Sequence, residues 1–371
     1  MKRWLLLILF SFAGKLFYGS PEISVLTCSP GNEIYSVFGH SAIRVTDNEK
    51  GIDDIYNFGM FDFDTPHFVL KFVKKELYYF LDIQRPQSFI AEYTASNRKV
   101  VEQRLHLTET QKTYIMGRLE FLYRPENRYY LYAFLEENCS TAIRDLLLEA
   151  GVPFTIRPIE KTNRELIEEH LTRKPWLRLG INMVLGKTLD KPNDNFKSMF
   201  LPEYLYRELN GITNGARPLV ESIISLNDID LSGQEKSTPF IKPFTLFLIM
   251  LLVVLLWNSK PVATTLYTCV AVVGLVLTAM MLFSAHAEVK WNFNILWCNP
   301  LYLIYIPFLV RNKGEILFPV FFILTIVATL IIWIFNIQQF DWALLPLWIA
   351  LILLQVKPLT GYYREYSKTK G

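Results

Sequence analysis

The chain has 371 residues, of which 51% are hydrophobic and 15% aromatic, with a formal net charge of +3. It is too apolar for a disordered protein and long enough for a soluble domain plus a membrane part. Residues 21–238 carry 26 Lys and Arg against 31 Asp and Glu, whereas residues 239–371 carry 9 against 4. A basic excess confined to a hydrophobic tail is typical of membrane orientation, and no nucleic-acid partner is expected.

The N-terminus predicts export. Met1-Lys2-Arg3 precedes an apolar stretch over residues 4–13, and the small residues Gly19 and Ser20 follow. This pattern predicts a cleaved signal peptide over residues 1–20, with an uncleaved anchor as the alternative. Both place the residues that follow outside the cytoplasm.

Residues 21–237 predict an exported α+β domain. Residues 41–45 and 56–63 have strand character, and residues 47–51 predict the turn between them. Thr108 and Gln111 form a capping box at the start of a helix that runs towards residue 123. A second helix begins near residues 139–141, has apolar residues at helical spacing and ends at Gly151, whereas residues 129–135 fit a strand or a helix.

Residues 238–371 predict a transmembrane domain of about five helices with a basic cytoplasmic tail. Apolar runs cover residues 240–257, 261–284, 316–335 and 342–356, and a shorter fifth run covers residues 300–310. With the N-terminal domain outside, five spans leave one basic residue, Lys290, in the outer loops. Seven basic residues then fall inside, as the positive-inside rule requires: Lys260, Arg311, Lys313, Lys357, Arg364, Lys368 and Lys370.

Cys139 is a candidate nucleophile because it lies at the start of a predicted helix. Unpaired N–H groups and the helix dipole favour the thiolate there, and a thiolate is the nucleophile that acyl transfer needs. The alternatives are a buried structural cysteine or a disulfide with Cys28, which an exported protein permits. Asn138, beside it, is a candidate oxyanion donor or helix cap.

His40 is the candidate base, since it follows Gly39 at the start of a predicted strand. Asn57 and Tyr35 are candidates for the group that orients its ring. No metal-ligand spacing, phosphate-binding glycine loop or dinucleotide fingerprint is present, so neither a metal nor a cofactor is expected.

Three segments together resemble the Lnb-type exported domain of Bacteroidota: Leu26-Thr27-Cys28-Ser29-Pro30-Gly31-Asn32-Glu33-Ile34-Tyr35-Ser36-Val37-Phe38-Gly39-His40-Ser41-Ala42-Ile43-Arg44-Val45, Tyr56-Asn57-Phe58-Gly59 with Phe61-Asp62-Phe63, and Asn138-Cys139-Ser140-Thr141-Ala142-Ile143-Arg144-Asp145. The order of histidine first and cysteine later also resembles the permuted papain-like acyltransferases and amidases, among them lecithin:retinol acyltransferase. The resemblance covers about residues 23–150, and the helical tail by layout alone.

The resemblance implies a lipoprotein N-acyltransferase of the inner membrane, multi-pass, with its catalytic domain in the periplasm. Cys139 would be the nucleophile and His40 the base. A phospholipid would be the acyl donor, and the α-amine of a diacylated lipoprotein the acceptor. The alternatives are a papain-like lipid hydrolase or amidase, and a non-enzymatic membrane scaffold with a Cys28–Cys139 disulfide.

Two further segments are candidates for lipid contact. Residues 68–80 mix apolar residues with Lys71, Lys74 and Lys75, which fits either a helix on the bilayer surface or a core helix with a basic outer face. In the predicted outer loop, the candidate lipid contacts are His286, Asn292 and Asn294.

Overall fold

The structure is a computed structural model that describes residues 20–231, 239, 241–311 and 316–370, with side chains up to residue 360. The predicted signal peptide lies outside the described residues apart from Ser20. So does the predicted domain boundary between residues 237 and 238.

A seven-stranded antiparallel sheet forms the centre of the N-terminal domain. Its strands are β1 Glu22–Cys28, β2 His40–Asp47, β3 Ile52–Met60, β4 Tyr78–Gln84, β5 Val100–Leu105, β6 Tyr129–Leu131 and β11 Val220–Ser225. The order across the sheet is β11-β5-β1-β2-β3-β4-β6. Two short ladders lie outside it, formed by β7 Pro158–Ile159 with β8 Asn193–Asp194 and by β9 Thr213–Asn214 with β10 Arg217–Pro218.

Between residues 20 and 231, eight α-helices accompany the sheet: α1 Phe68–Lys74, α2 Pro86–Ala95, α3 Glu109–Tyr123, α4 Cys139–Glu149, α5 Asn163–Leu171, α6 Pro175–Val184, α7 Asn195–Ser198 and α8 Pro202–Gly211. The sheet has a hydrophobic core on each face, because side chains of one strand alternate between faces. On one face Ile23 and Val25 of β1 pack with α3, α4 and α8, and on the other Leu26 and Cys28 pack with Phe89 of α2. The predicted α+β fold class is therefore confirmed.

The predicted local elements agree with the structure in most places. The predicted strands correspond to β2 and β3, and the capping box of Thr108 and Gln111 begins α3. The open choice for residues 129–135 is settled by β6, which is a strand of three residues only. Tyr78 of β4 pairs with Leu131, so this segment closes one edge of the sheet.

The C-terminal part is helical: α9 Pro243–Leu256, α10 Lys260–Phe283, α11 Asn294–Trp297, α12 Tyr302–Val310, α13 Leu317–Ile334 and α14 Leu345–Lys370. Within the described part of the chain, three helical stretches are long and apolar enough to cross a membrane, namely Lys260–Phe283, Leu317–Ile334 and Trp342–Thr360. Two apolar stretches, Pro243–Leu256 and Asn294–Val310, are shorter. The layout of five spans stays a prediction.

Buried polar contacts join the two parts through α6. Asn292 donates to the backbone carbonyls of Met183 and Val184 at 2.7 and 3.0 Å, and Asn294 donates to the Met183 carbonyl at 3.2 Å. Both asparagines are almost fully buried, with 2% and 1% of their surface exposed. Buried amides need such partners, and here the partners are protein carbonyls.

The expectation that the outer loop supplies polar contacts to lipid is therefore wrong for its three candidates. His286 is also buried, and its Nε2 lies 2.9 Å from the Phe72 carbonyl oxygen. Asn292 and Asn294 hold the outer loop against the N-terminal domain instead of facing the bilayer.

Candidate active site

The first turn of α4 is fixed by its cap. Asn138 Oδ1 accepts from the N–H groups of Ser140 and Thr141 at 2.8 and 3.0 Å, and the Thr141 hydroxyl accepts from the Asn138 N–H at 2.8 Å. The amide nitrogen of Asn138 donates to the carbonyls of Phe134 and Phe200. The oxygen of this amide is thus engaged in the helix cap and its nitrogen in bonds to two backbone carbonyls, so it is not free to donate to an oxyanion.

Cys139 is consequently the first residue of α4 and is half-buried beside the sheet. A helix leaves its first N–H groups without intrahelical acceptors, and the Asn138 side chain occupies those of Ser140 and Thr141. The N–H of Cys139 itself belongs to the same set. The thiol therefore lies at the positive end of the helix dipole.

His40 begins β2 directly after a backbone turn that needs glycine. Gly39 has φ +88°, and a Cβ there would lie 2.8 Å from the Cys28 carbonyl oxygen of the neighbouring strand. Only glycine accepts both the left-handed backbone and the close approach. Cys28 and His40 are register partners in the β1–β2 ladder, so the turn sets where the imidazole leaves the sheet.

A chain of amides orients the imidazole. His40 Nε2 lies 2.5 Å from Asn57 Oδ1, Asn57 Nδ2 donates to Gln84 Oε1 at 2.9 Å, and Gln84 Nε2 donates to Glu92 Oε2 at 3.0 Å. Because the Glu92 carboxylate only accepts, each amide is fixed in one orientation, and Asn57 presents its oxygen to the ring. Nε2 of His40 then carries the proton, which leaves Nδ1 with a free lone pair.

The electrostatics of Cys139 and His40 are coupled. Burial alone would raise the pKa of the Cys139 thiol, but the charge of His40, a hydrogen bond to His40 and the Ser41 N–H together lower it. Burial likewise opposes the charged form of His40, but the Cys139 thiolate and the hydrogen bonds to Cys139 and Asn57 raise its pKa. The two shifts together favour a thiolate–imidazolium pair.

Tyr130 on β6 is a site residue that the sequence did not single out. Gly59, which has φ +85°, lies in the irregular part of β3, and a Cβ there would lie 3.7 Å from Cys139 Cβ and 3.9 Å from the Tyr130 hydroxyl. That hydroxyl is buried, and burial raises its pKa, so it stays protonated as a donor. Only the pairing of β4 with β6 brings it here, and no local signal in residues 129–135 indicates it.

Two other predictions from the sequence, a role for Tyr35 beside His40 and a disulfide between Cys28 and Cys139, do not match the structure. Tyr35 is exposed, and its ring packs edge-on against Phe61 and Phe63. Cys28 and Cys139 are both free cysteines, so the disulfide of the scaffold alternative is not formed. Among the described residues, no group of three His, Cys, Asp or Glu side chains is arranged to hold a metal ion.

The N-terminal domain brings a thiol, an imidazole and an amide into one cluster, and apolar helices follow it. These features define the class as a membrane protein with a thiol–imidazole site. Two family models identify it further: the Lnb N-terminal periplasmic domain matches residues 14–169, and the Lnb transmembrane domain matches residues 234–365. The chain belongs to the Lnb-type family. It is a lipoprotein-processing membrane protein with a periplasmic N-terminal part. No curated protein and no solved structure matches it.

Proposed function

We propose that this protein is a phospholipid:lipoprotein N-acyltransferase that works through a thioester on Cys139. The arrangement that carries the proposal is the cluster in which His40 contacts both Cys139 and Asn57, with a lowered thiol pKa and a raised imidazole pKa. Histidine first and a helix-start cysteine later is the order of a permuted papain-like site. Family membership supports a lipoprotein as the acceptor.

In the first half-reaction Nδ1 of His40 takes the thiol proton of Cys139. The thiolate attacks the carbonyl carbon of a phospholipid acyl ester, the ester C–O bond breaks, and His40 returns the proton to the departing glycerol oxygen. The products are an acyl thioester and a lysophospholipid. We assign the Cys139 N–H and the Tyr130 hydroxyl as the donors to the developing oxyanion, because one lies at the start of α4 and the other beside Gly59, which adjoins Cys139.

In the second half-reaction the α-amine of a diacylated lipoprotein attacks the thioester. His40 accepts the amine proton, the C–S bond breaks, and an amide forms while Cys139 is restored. The sum exchanges an ester and an amine for an amide and an alcohol, so no cofactor is needed.

We further propose that the protein is a multi-pass protein of the inner membrane with five spans. The five apolar helical segments and the excess of basic residues at their inner ends support this layout. A membrane domain suits the reaction because both substrates are anchored in the same bilayer.

The test uses purified full-length protein with phospholipid vesicles and a synthetic diacylated lipopeptide. Mass spectrometry should show a lipopeptide with one additional acyl chain on its α-amine, together with lysophospholipid, and neither with the Cys139→Ser variant. Release of free fatty acid without acylation of the lipopeptide would indicate that the protein is a hydrolase and not a transferase. Lipoprotein N-termini from cells with and without the gene should differ by the same acyl chain.

A further inference from the structure

Helix α1 presents an exposed apolar face. At roughly 100° per residue, Phe72, Val69, Val73 and Leu70 follow each other around one side of the helix, and Lys71 and Lys74 lie next to them on the other side. Val69 is 72% exposed and Leu70 53%, and α1 has no fully buried residue. The alternative of a core helix with a basic outer face is therefore wrong, since the apolar face itself points outward.

The position of α1 is fixed at the outer end of a membrane helix. Ala285 N–H, two residues beyond the end of α10 at Phe283, donates to the Lys74 carbonyl at 3.2 Å. His286 Nε2 lies 2.9 Å from the Phe72 carbonyl oxygen. The last residues of α10 are themselves exposed and apolar, and α10 is long and apolar enough to cross a membrane, so α1 continues its exposed apolar surface.

In the five-span layout, tryptophans lie in other segments at the outer ends of the membrane helices. Trp176 donates its indole N–H to the Ile241 carbonyl just before α9, and the side chains of Trp291 and Trp342 are exposed. Such residues concentrate where membrane and water meet. In this layout, three segments that carry tryptophan thus lie on the same side of the membrane as α1.

Aromatic rings lead from α1 towards the thiol. Phe72 lies 6.3 Å from the Tyr132 ring, Tyr132 stacks on Tyr79 at 4.3 Å, and Tyr79 lies 5.1 Å from Phe61. Tyr130, two residues before Tyr132, has its hydroxyl close to Gly59, the glycine that adjoins Cys139. A wall of aromatic rings therefore extends from the exposed face of α1 towards Gly59 and Cys139.

We propose that α1 is an interfacial helix that inserts Val69, Leu70 and Phe72 into the outer surface of the bilayer and places Lys71 and Lys74 against lipid phosphates. Apolar side chains beside lysines are the pattern by which a helix lies in a membrane surface. The contact holds the Cys139 site next to lipid, so that an acyl chain reaches the thiol along the aromatic wall. This last role rests on the proposed function, whereas the membrane contact does not.

A fluorescent label tests the contact without any need for activity. Val69→Cys is made in the full-length chain with Cys139→Ser and Cys269→Ala, labelled with an environment-sensitive dye and reconstituted into vesicles that carry nitroxide lipids. Ile223→Cys in the same background is the control, because Ile223 is exposed on β11 at the opposite edge of the sheet. The label at position 69 should be strongly quenched by nitroxides near the glycerol backbone, and the control label should not.

Equal, weak quenching at both positions would overturn the proposal. A blue-shifted label at position 69 that nitroxide lipids do not quench would also overturn it, because the face would then be covered by protein.

A kinetic comparison tests the role of the contact. Val69→Asn with Leu70→Asn should slow acyl-enzyme formation from vesicle phospholipid by roughly tenfold or more, since the apolar insertion is lost. With a short-chain phospholipid dissolved as monomers the rate should equal that of wild type, and Ile223→Asn should match wild type with both donors. Equal slowing with both donors would mean that the substitutions in α1 disturb the fold and do not act through membrane contact. Absence of an acyl-enzyme with every donor would refute the proposed function and leave the quenching result standing.

Discussion

The hydroxyl groups of Ser41 and Ser140 lie 3.0 Å apart in the buried seam between β2 and α4. Each serine follows a candidate catalytic residue in the chain, because Ser41 comes after His40 and Ser140 after Cys139. Both serines are fully buried. Their hydrogen bond therefore fixes the start of the helix against the start of the strand, and with it the approach of the thiol to the imidazole.

Removal of the Ser41 and Ser140 hydroxyls should not have additive effects on the free energy of unfolding. Ser140→Ala leaves the Ser41 hydroxyl buried without this partner, which costs about 1–3 kcal/mol. The double variant should lose clearly less than the sum of the two single losses, because no orphaned hydroxyl remains. Thermal unfolding of the purified protein measures this, with the exposed Thr110→Ala as control. Strictly additive losses would mean that the two hydroxyls are not coupled.

The two reactive residues could be predicted separately, but their meeting could not. Gly39 before a strand and Asn138 before a helix are local signals, and both describe the structure correctly. Contact between His40 and Cys139 depends on how α4 packs on β2, which no local pattern encodes. The family resemblance supplied that pairing.

The positions of the residues around His40 and Cys139 depend on strand pairing and on tertiary contacts, which the sequence alone does not predict. Asn57 was one of two candidates, and only the register of β3 against β4 places Gln84 beside it. Tyr130 depends on the pairing of β4 with β6. Asn292 and Asn294 were assigned to lipid because their role depends on the docking of α6, which is a tertiary contact between distant segments.

Replacement of His40 should abolish most acyl transfer without loss of the fold. General acid–base catalysis contributes about 10²–10⁴-fold, so His40→Ala should slow formation of the acyl-enzyme by that range. The side chain is half-buried and starts a strand, so abundance should remain close to wild type. Mass spectrometry of the intact protein after incubation with phospholipid measures the acylation. His106→Ala is the control, and near-normal acylation in a folded His40→Ala variant would refute the assignment of the base.

The pH dependence of thiol modification should reveal the ion pair. Because the folded pKa of Cys139 is lowered, its thiolate persists at lower pH than that of a free cysteine, whose pKa is about 8.5. The midpoint of iodoacetamide alkylation at Cys139 should therefore lie below that value. His40→Ala removes the cation and keeps the burial, so the midpoint should move upward. Peptide mapping should leave Cys28 unmodified, since burial raises its pKa; a Cys139 midpoint at or above the free value would contradict the pair.

Reporter fusions should distinguish the membrane layouts. With five spans, a fusion after Gly371 should read as cytoplasmic and one near Asn292 as external, because the inner ends hold most of the basic residues. Paired fusions to alkaline phosphatase and a fluorescent protein report the two sides. A cytoplasmic position for Asn292 would contradict the layout, and it would also contradict the contacts of this loop with α6.

Asn57 should act as a positioning residue for His40. Its oxygen accepts from Nε2, and Gln84 Oε1 accepts from its amide nitrogen, which keeps the oxygen turned towards the ring. Asn57→Leu removes the acceptor, so the ring loses its orientation and its preferred tautomer, and the rate of acyl-enzyme formation should fall by roughly 10–100-fold.

The pH profile separates this role from simple packing. The hydrogen bond to Asn57 contributes to the raised pKa of His40, so Asn57→Leu should lower that pKa and shift the alkylation midpoint of Cys139 upward. Asn57→Asp keeps an acceptor at the same place and should recover part of the rate, although its second oxygen meets the Gln84 carbonyl oxygen unless that amide turns over. If both variants lost the same activity at an unchanged alkylation midpoint, Asn57 would only fill space, and the orientation of His40 would have to come from its stacking on Tyr93, whose ring lies 6.3 Å away.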